Sequence, residues 1–182
     1  GYVDDPFTKS AKFNFDRFKK HVALAMRMMD DIIDLELEKV ELILKKIAQD
    51  PEDEDIRRVE KNLWEKIRAK AQEGRRTGLG ITAEGDMLAA LGLQYGSEAA
   101  IDFAVQVQKT LALEAYRASV QLARERGAFP IYDAEREKNN PMIGRIREAD
   151  PALYEAMVKD GRRNIAMLTI APTGTTSLMS QT

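Results

Sequence analysis

The chain has 182 residues, with 28 Lys and Arg against 30 Asp and Glu, a single histidine and no cysteine. The length fits one domain or a little more. The net charge of −2 gives no electrostatic case for a nucleic-acid polymer or an anionic membrane as partner. The lack of cysteine excludes disulfides, thiolate metal sites and thiol chemistry by this chain alone.

Residues 1–14 read as an irregular lead-in whose acidic start, Gly1 to Pro6, is unlike a signal peptide. No apolar run approaches the roughly 20 residues of a membrane span, so the cytoplasm is the default location. A long helix is predicted from Phe15 to Ala48, because Phe18, Val22, Ala25, Met29, Ile33, Leu37, Val40, Leu44 and Ile47 recur at spacings of three and four. Asp50-Pro51 breaks it. A second helix carries Ile56, Val59, Leu63 and Ile67 and ends near Gly74 as its cap. Together these helices, 15–74, form an antiparallel hairpin insertion.

Thr77 to Ile81 is short, apolar and glycine-bearing, and is predicted to be a buried strand. Thr82 then caps a helix from Ala83 to Leu91. Ser97 caps another that runs to about Arg126, with a stripe through Ile101, Ala104, Val105, Gln108, Leu111, Ala112, Ala115, Ser119 and Leu122. Residues 128–140 form a loop with a possible extended piece at Phe129–Tyr132. Short helices follow at Pro141–Glu148 and Pro151–Val158, the latter capped by Asp150. The terminal strand is Asn164–Ile170. Two strands joined through helices imply parallel strands of an α/β sheet, in a chain that is predominantly helical. Residues 75–182 thus read as strand, helix, helix, strand, ending in a turn.

That turn is the main candidate for chemistry. Pro172, Thr173, Gly174, Thr175, Thr176 and Ser177 form a hydroxyl-rich bend that can open a helix, whose free N–H groups make a seat for phosphate. An ordinary helix cap with spare hydroxyls fits the same residues. There is no P-loop motif. Arg75 and Arg76 could bind an anion, or simply complement the negative end of the preceding helix. Gly78 and Gly80 suit close packing, since no full Gly-x-Gly-x-x-Gly is present. Asp30, Asp34 and Glu38, with Asp31 beside them, could hold a hard cation, but a solvated acidic face is the expectation. His21 reads as a boundary residue. One histidine cannot build the paired Glu-x-x-His di-iron signature, and no Gly-x-Ser-x-Gly elbow exists.

Two stretches carry a resemblance. Gly74-Arg75-Arg76-Thr77-Gly78-Leu79-Gly80-Ile81-Thr82-Ala83-Glu84-Gly85-Asp86, followed by Arg163-Asn164-Ile165-Ala166 and Thr169-Ile170-Ala171-Pro172-Thr173-Gly174-Thr175, resembles the large catalytic chain of ribonucleotide reductases. The lead-in from Asp5-Pro6-Phe7-Thr8 to Asp34 is similar to the part after that family's central cysteine strand. The helical insertion Glu36–Gln72 is similar to the adenosylcobalamin-dependent (class II) type. The resemblance implies a partial segment of a ten-stranded α/β barrel, in which a thiyl radical abstracts a ribose hydrogen. It implies adenosylcobalamin as cofactor of the complete enzyme, a ribonucleotide as substrate, and a homodimer when complete. It also implies that Pro172 to Ser177 hold the substrate phosphates.

The family's radical cysteine, its reducing cysteine pair and its Asn and Glu acid/base partners have no counterpart in this chain. The expectation is therefore a piece of a reductase that is inactive alone, with the remaining segments supplied in cis or by another chain. The competing expectation is a helical interaction or scaffold module in which the turn is only a cap.

Overall fold

The computed structural model describes residues 1–181, and among these the chain is overwhelmingly helical. It opens with a minimal antiparallel hairpin, β1 (Val3–Asp4) and β2 (Lys12–Phe13), paired Val3 to Phe13 and Asp4 to Lys12. The lead-in is thus ordered rather than irregular. Tyr2 and Phe13 stack edge-on against Phe18 at 5.1 and 5.4 Å, which ties the hairpin to the first helix.

Helix α1 (Phe15–Gln49) is capped by Asn14, whose side chain accepts from the Arg17 N–H at 2.9 Å. Its buried face is Phe18, Val22, Met26, Asp30, Ile33, Val40 and Ile47. This matches the predicted stripe at Phe18, Val22, Ile33, Val40 and Ile47, but Met26 and Asp30 are buried in place of Ala25 and Met29, and Leu37 and Leu44 are only half-buried. Helix α2 (Glu54–Gly74) turns back along α1. Its expected apolar stripe does not face inward: Ile56, Val59 and Leu63 are exposed. Nor is Gly74 the cap. Gly74 is the last helical residue and is packed against Ile165, where a Cβ would stand 3.2 Å from a methyl carbon. Arg75 takes the left-handed cap position at φ 44°, ψ 57°.

Helix α3 (Glu84–Ala90) begins from Ala83 in a left-handed conformation with no side-chain cap, so Thr82 does not play the predicted part. Helix α4 (Glu98–Arg126) is capped by Ser97, as its sequence requires. Phe129 to Tyr132 is a turn closed by the Tyr132 N–H on the Phe129 carbonyl, not an extended piece. A single helical turn, α5 (Ala134–Glu137), follows it. Helices α6 (Pro141–Ala149) and α7 (Pro151–Asp160) start on prolines capped by Asn140 and Asp150. Helix α8 (Gly174–Ser180) ends the described part.

The core lies where α1, α4, α6 and α7 meet. Met26, Val107, Leu111, Ala115, Ile146, Met157 and Met167 are all buried there. Filling such positions contributes about 1.5–3 kcal/mol per large side chain.

The two predicted strands exist only as a short parallel contact. Residues 75–81 and 164–170 run side by side, bridged at Leu79 and Leu168. The N–H groups of Thr77, Leu79 and Thr169 donate to the carbonyls of Ala166, Met167 and Leu79 at 2.9, 2.7 and 3.0 Å. Gly80 makes the approach possible: a Cβ there would fall 2.5 Å from the Thr169 carbonyl oxygen. The parallel sense agrees with the sequence. The extent does not, because a two-stranded pair has no neighbours to lengthen it. No closed barrel is formed among the described residues.

Candidate functional site

Both segments of the parallel pair lead into turns at the same edge. Residues 75–81 lead into Ala83 and α3, and residues 164–170 lead into Pro172 and α8. In open α/β structures this carboxyl edge is where ligands gather. Pro172, Thr173, Gly174, Thr175 and Thr176 are exposed there, and Ser177 is half-buried. Thr173 is the cap residue of α8, yet its side chain makes no capping hydrogen bond, and the first turn carries no acidic residue. The Ser177 N–H closes the first helical turn on the Thr173 carbonyl at 2.6 Å. Nothing lies within 4 Å of the position a Gly174 Cβ would take. The structure therefore brings the six residues together as one open helix start, with Thr175 and Thr176 hydroxyls on its surface.

A second constellation lies upstream of the pair, and sequence patterning does not bring it out. Asp30 is fully buried on α1. Arg75 sends Nε to Asp30 Oδ1 at 2.8 Å and Nη2 to the Asp30 carbonyl oxygen at 3.0 Å. Its Nη1 meets Asp34 at 2.8 Å. Arg126 Nη1 bridges Asp30 Oδ2 and Asp31 Oδ1 at 3.1 and 2.6 Å. Arg163 Nε reaches Asp30 Oδ2 at 3.3 Å. Asn164, also fully buried, donates from Nδ2 to Asp30 Oδ1 at 3.0 Å and accepts the Ser119 hydroxyl at 2.9 Å.

This arrangement answers two sequence expectations. Asp30 departs from the expected solvated face, with zero exposure and three guanidiniums around it, while Asp31 and Asp34 are half-exposed and Glu38 is exposed. Oxygens of Asp30, Asp31 and Asp34 do come within 4.8 Å of one another. Arg75, Arg126 and Arg163 pair with them, and a buried carboxylate requires such partners. Arg75, for its part, does more than complement a helix end. It is pulled into the core by Asp30, which also accounts for its left-handed backbone. The available signal was the spacing Val22, Met26, Asp30, Ile33, a carboxylate inside an apolar stripe.

Burial alone would push the Asp30 carboxyl up, but the hydrogen bond and charge of Arg75, with Asn164 and Arg163, hold it below the ordinary 3.8. A group lowered on folding stabilises the fold above its unfolded pKa, and that contribution fades as pH falls through the folded pKa. Wild-type stability is thus expected to drop as pH falls below 3.8. Asp30→Asn is expected to flatten that part of the acid limb. Urea unfolding between about pH 5 and 2 checks this. Parallel acid limbs for the two proteins would contradict it.

The third buried polar group is Arg162. Its guanidinium carbon lies 5.5, 5.5 and 5.6 Å from the rings of Tyr116, Phe129 and Tyr132. Both terminal nitrogens bind Glu137, Nη2 at 2.6 Å. Burial pushes the Tyr116 and Tyr132 phenols up. The cage joins the end of α4 to the turn at 129–132 and to α5.

His21 is exposed, and its Nδ1 is 3.1 Å from the Tyr2 hydroxyl. No helix among the described residues is long and apolar enough to cross a membrane.

Comparison with known proteins adds to this geometry. Residues 3–182 match the model of the family described as ribonucleotide reductase, barrel domain. The chain is 28% identical over 172 residues to a vitamin B12-dependent ribonucleoside-diphosphate reductase of Mycobacterium tuberculosis (strain CDC 1551 / Oshkosh), covering 94% of this chain and 18% of that protein. It is 31% identical over 170 residues to the protein of the same description from Thermoplasma acidophilum, covering 93% and 16%. To the ribonucleoside-diphosphate reductase subunit alpha of Chlamydia pneumoniae it is 24% identical over 190 residues, covering 93% and 16%. The chain spans less than a fifth of the length of these relatives.

Proposed function

The chain belongs to the ribonucleotide reductase barrel-domain family, and from that premise we propose that it supplies the substrate-phosphate turn of a ribonucleoside-diphosphate reductase. The observation that carries the proposal is the start of α8. It has no side-chain cap, no acid in its first turn and an open glycine, and it stands at the carboxyl edge of the parallel pair. The N–H groups of Gly174, Thr175 and Thr176 and the threonine hydroxyls donate to phosphate oxygens. The positive end of the helix adds to this. The descriptions of the relatives support a diphosphate substrate.

The segment belongs, in this reading, to a larger α/β barrel. Ile170, Leu178 and Met179 support this, at 93%, 82% and 82% exposed on either side of the turn. Large apolar side chains flanking a polar bend are suited to burial against further strands. The complete enzyme reduces the ribose by radical chemistry. This chain has no cysteine, so alone it binds and does not reduce.

The vitamin B12-dependent relatives suggest adenosylcobalamin as the source of the radical in the complete enzyme. The described residues do not form a seat for it. The one imidazole lies against the Tyr2 hydroxyl, and the charged side chains Arg27, Glu114, Arg117, Arg124 and Asp150 that line the groove between α1, α4 and α7 are engaged in ion pairs. No step is assigned to the cofactor at these residues.

Gly174→Val tests the turn. A Cβ at this position meets no protein atom within 4 Å, so helicity and melting temperature are expected to stay close to those of the wild type. It would occupy the space that a phosphate must enter, and pyrophosphate binding is expected to weaken by about tenfold or more, measured by calorimetry. Unchanged affinity would contradict the proposal.

A further inference from the structure

The parallel pair is short and holds its alignment weakly by itself. It rests on a few backbone hydrogen bonds, and Gly78 and Gly80 bring no side chains to it. A one-residue slip would carry one segment about 3.3 Å along the other and turn every side chain to the opposite face. The close approach of Gly80 to the Thr169 carbonyl favours the observed alignment at one end of the pair, and the other end needs a determinant of its own.

The buried cluster lies at the point where the pair begins. Asn164 Nδ2 donates to the Arg75 carbonyl oxygen at 3.1 Å as well as to Asp30. Arg75 and Asn164 are 89 residues apart, as are Thr77 and Ala166, which pair farther along. Leu79 and Leu168 share that offset. The contact inside the cluster is a side-chain rung at the start of the same pairing, beside the bond from the Ile165 N–H to the Gly74 carbonyl at 2.9 Å. It is secured by side chains from three directions: Asp30 on α1, Ser119 on α4, and Arg163 next to Asn164. The Ser119 hydroxyl accepts the N–H of both Arg163 and Asn164 at 3.1 Å. A slipped register would pull Asn164 away from Asp30 and leave buried polar groups unpaired, which is strongly unfavourable. Buried ionic clusters add little stability over apolar packing of equal volume, but they can select one alignment.

We propose that Asp30 is a positioning residue: by holding Arg75 and Asn164 in one buried cluster it fixes the register of residues 164–169 along 75–79, and so the place of the 172–177 turn. The proposal rests on the phosphate reading of that turn. Only four residues separate Thr169 from Gly174, so a slip at the pair displaces the helix start by a comparable distance. A misplacement of about 1 Å already costs binding and catalytic geometry heavily.

The test uses the full chain in three variants. Asp30→Asn keeps the shape and removes the charge. Asn164→Ala removes the rung but leaves carboxylates and guanidiniums balanced, so it serves if Asp30→Asn fails to fold. Val40→Ala, at a buried α1 position away from the cluster, is the reference for general destabilisation. Amide hydrogen exchange is followed by NMR under conditions where each protein is folded. In Asp30→Asn or Asn164→Ala, protection at Leu79 and Thr169 is expected to fall about tenfold or more relative to the α4 core amides. Pyrophosphate affinity is expected to fall with it. Val40→Ala should lower the melting temperature and move neither readout.

Protection that falls only in step with global stability, as in Val40→Ala, would overturn the register claim. Loosened segments with unchanged pyrophosphate affinity would overturn its link to the turn. A wild-type chain that takes no pyrophosphate would sink the phosphate reading instead, and exchange at Leu79 and Thr169 would still decide the register.

Discussion

Replacing Arg162 by alanine is expected to destabilise the chain by about 3–5 kcal/mol, the range for breaking a buried ion pair. The side chain is 2% exposed and bound at both terminal nitrogens by Glu137, whose own side chain is 19% exposed. Three ring faces lie within 5.6 Å of its guanidinium carbon. Alanine would leave a carboxylate without its partner and a void between Tyr116, Phe129 and Tyr132. Lysine restores a charge but cannot reproduce the two-pronged contact or lie flat between rings. Arg162→Lys is therefore expected to fall between wild type and Arg162→Ala. Urea unfolding of the three proteins measures this. A loss below about 1 kcal/mol for Arg162→Ala, the size of an exposed ion pair, would contradict the account of the cage.

Gly80→Ala is expected to separate the parallel pair and cost about 1–3 kcal/mol, as overpacking does in a close contact. The added carbon would stand 2.5 Å from a backbone oxygen, which cannot swing aside as a side-chain tip does. The hydrogen bonds between Thr169 and Leu79, and between Leu79 and Met167, are the ones it strains. Gly85→Ala is the internal contrast. Gly85 lies in α3 with nothing within 4 Å of a new Cβ, so the change is expected to be neutral or to stabilise by about 0.5–1 kcal/mol. Thermal melts of both variants decide the matter, and equal effects would refute the assignment of Gly80 as the close-approach residue.

Much of the helical frame was legible because its signals are local. Phe15–Gln49 announces itself through apolar spacing, and Ser97 and Asp150 are caps that their helices obey. The turn at Pro172–Ser177 was legible for the same reason: Thr, Gly and Ser after an apolar run open a helix. The misses share another cause. Ile56, Val59 and Leu63 have the right period, yet periodicity does not say which face meets α1. The left-handed Arg75 goes with its contact to a distant residue, Asp30. Local propensity carries no trace of it. Asp30, Ser119, Arg126 and Asn164 lie far apart in the chain, and only folding brings them together. The arginine doublets 75–76 and 162–163 do not show locally which member is drawn inside. In each doublet one member is buried in a polar cluster, while Arg76 is exposed and Arg163 partly so.

A place in a larger barrel, as proposed above, would account for the unbalanced look of the fold. A helical shell surrounds one short parallel contact, and the apolar residues beside the turn lie open. Such a shell suits a barrel whose further strands complete the sheet.

The central claim, that residues 172–177 seat a phosphate, is tested most directly by titrating the isotopically labelled chain with pyrophosphate and following backbone amides by NMR. The account predicts saturable shifts centred on Gly174, Thr175 and Thr176, absent in Gly174→Val. Shifts confined to other surfaces, or none at the start of α8 at saturating pyrophosphate, would contradict it.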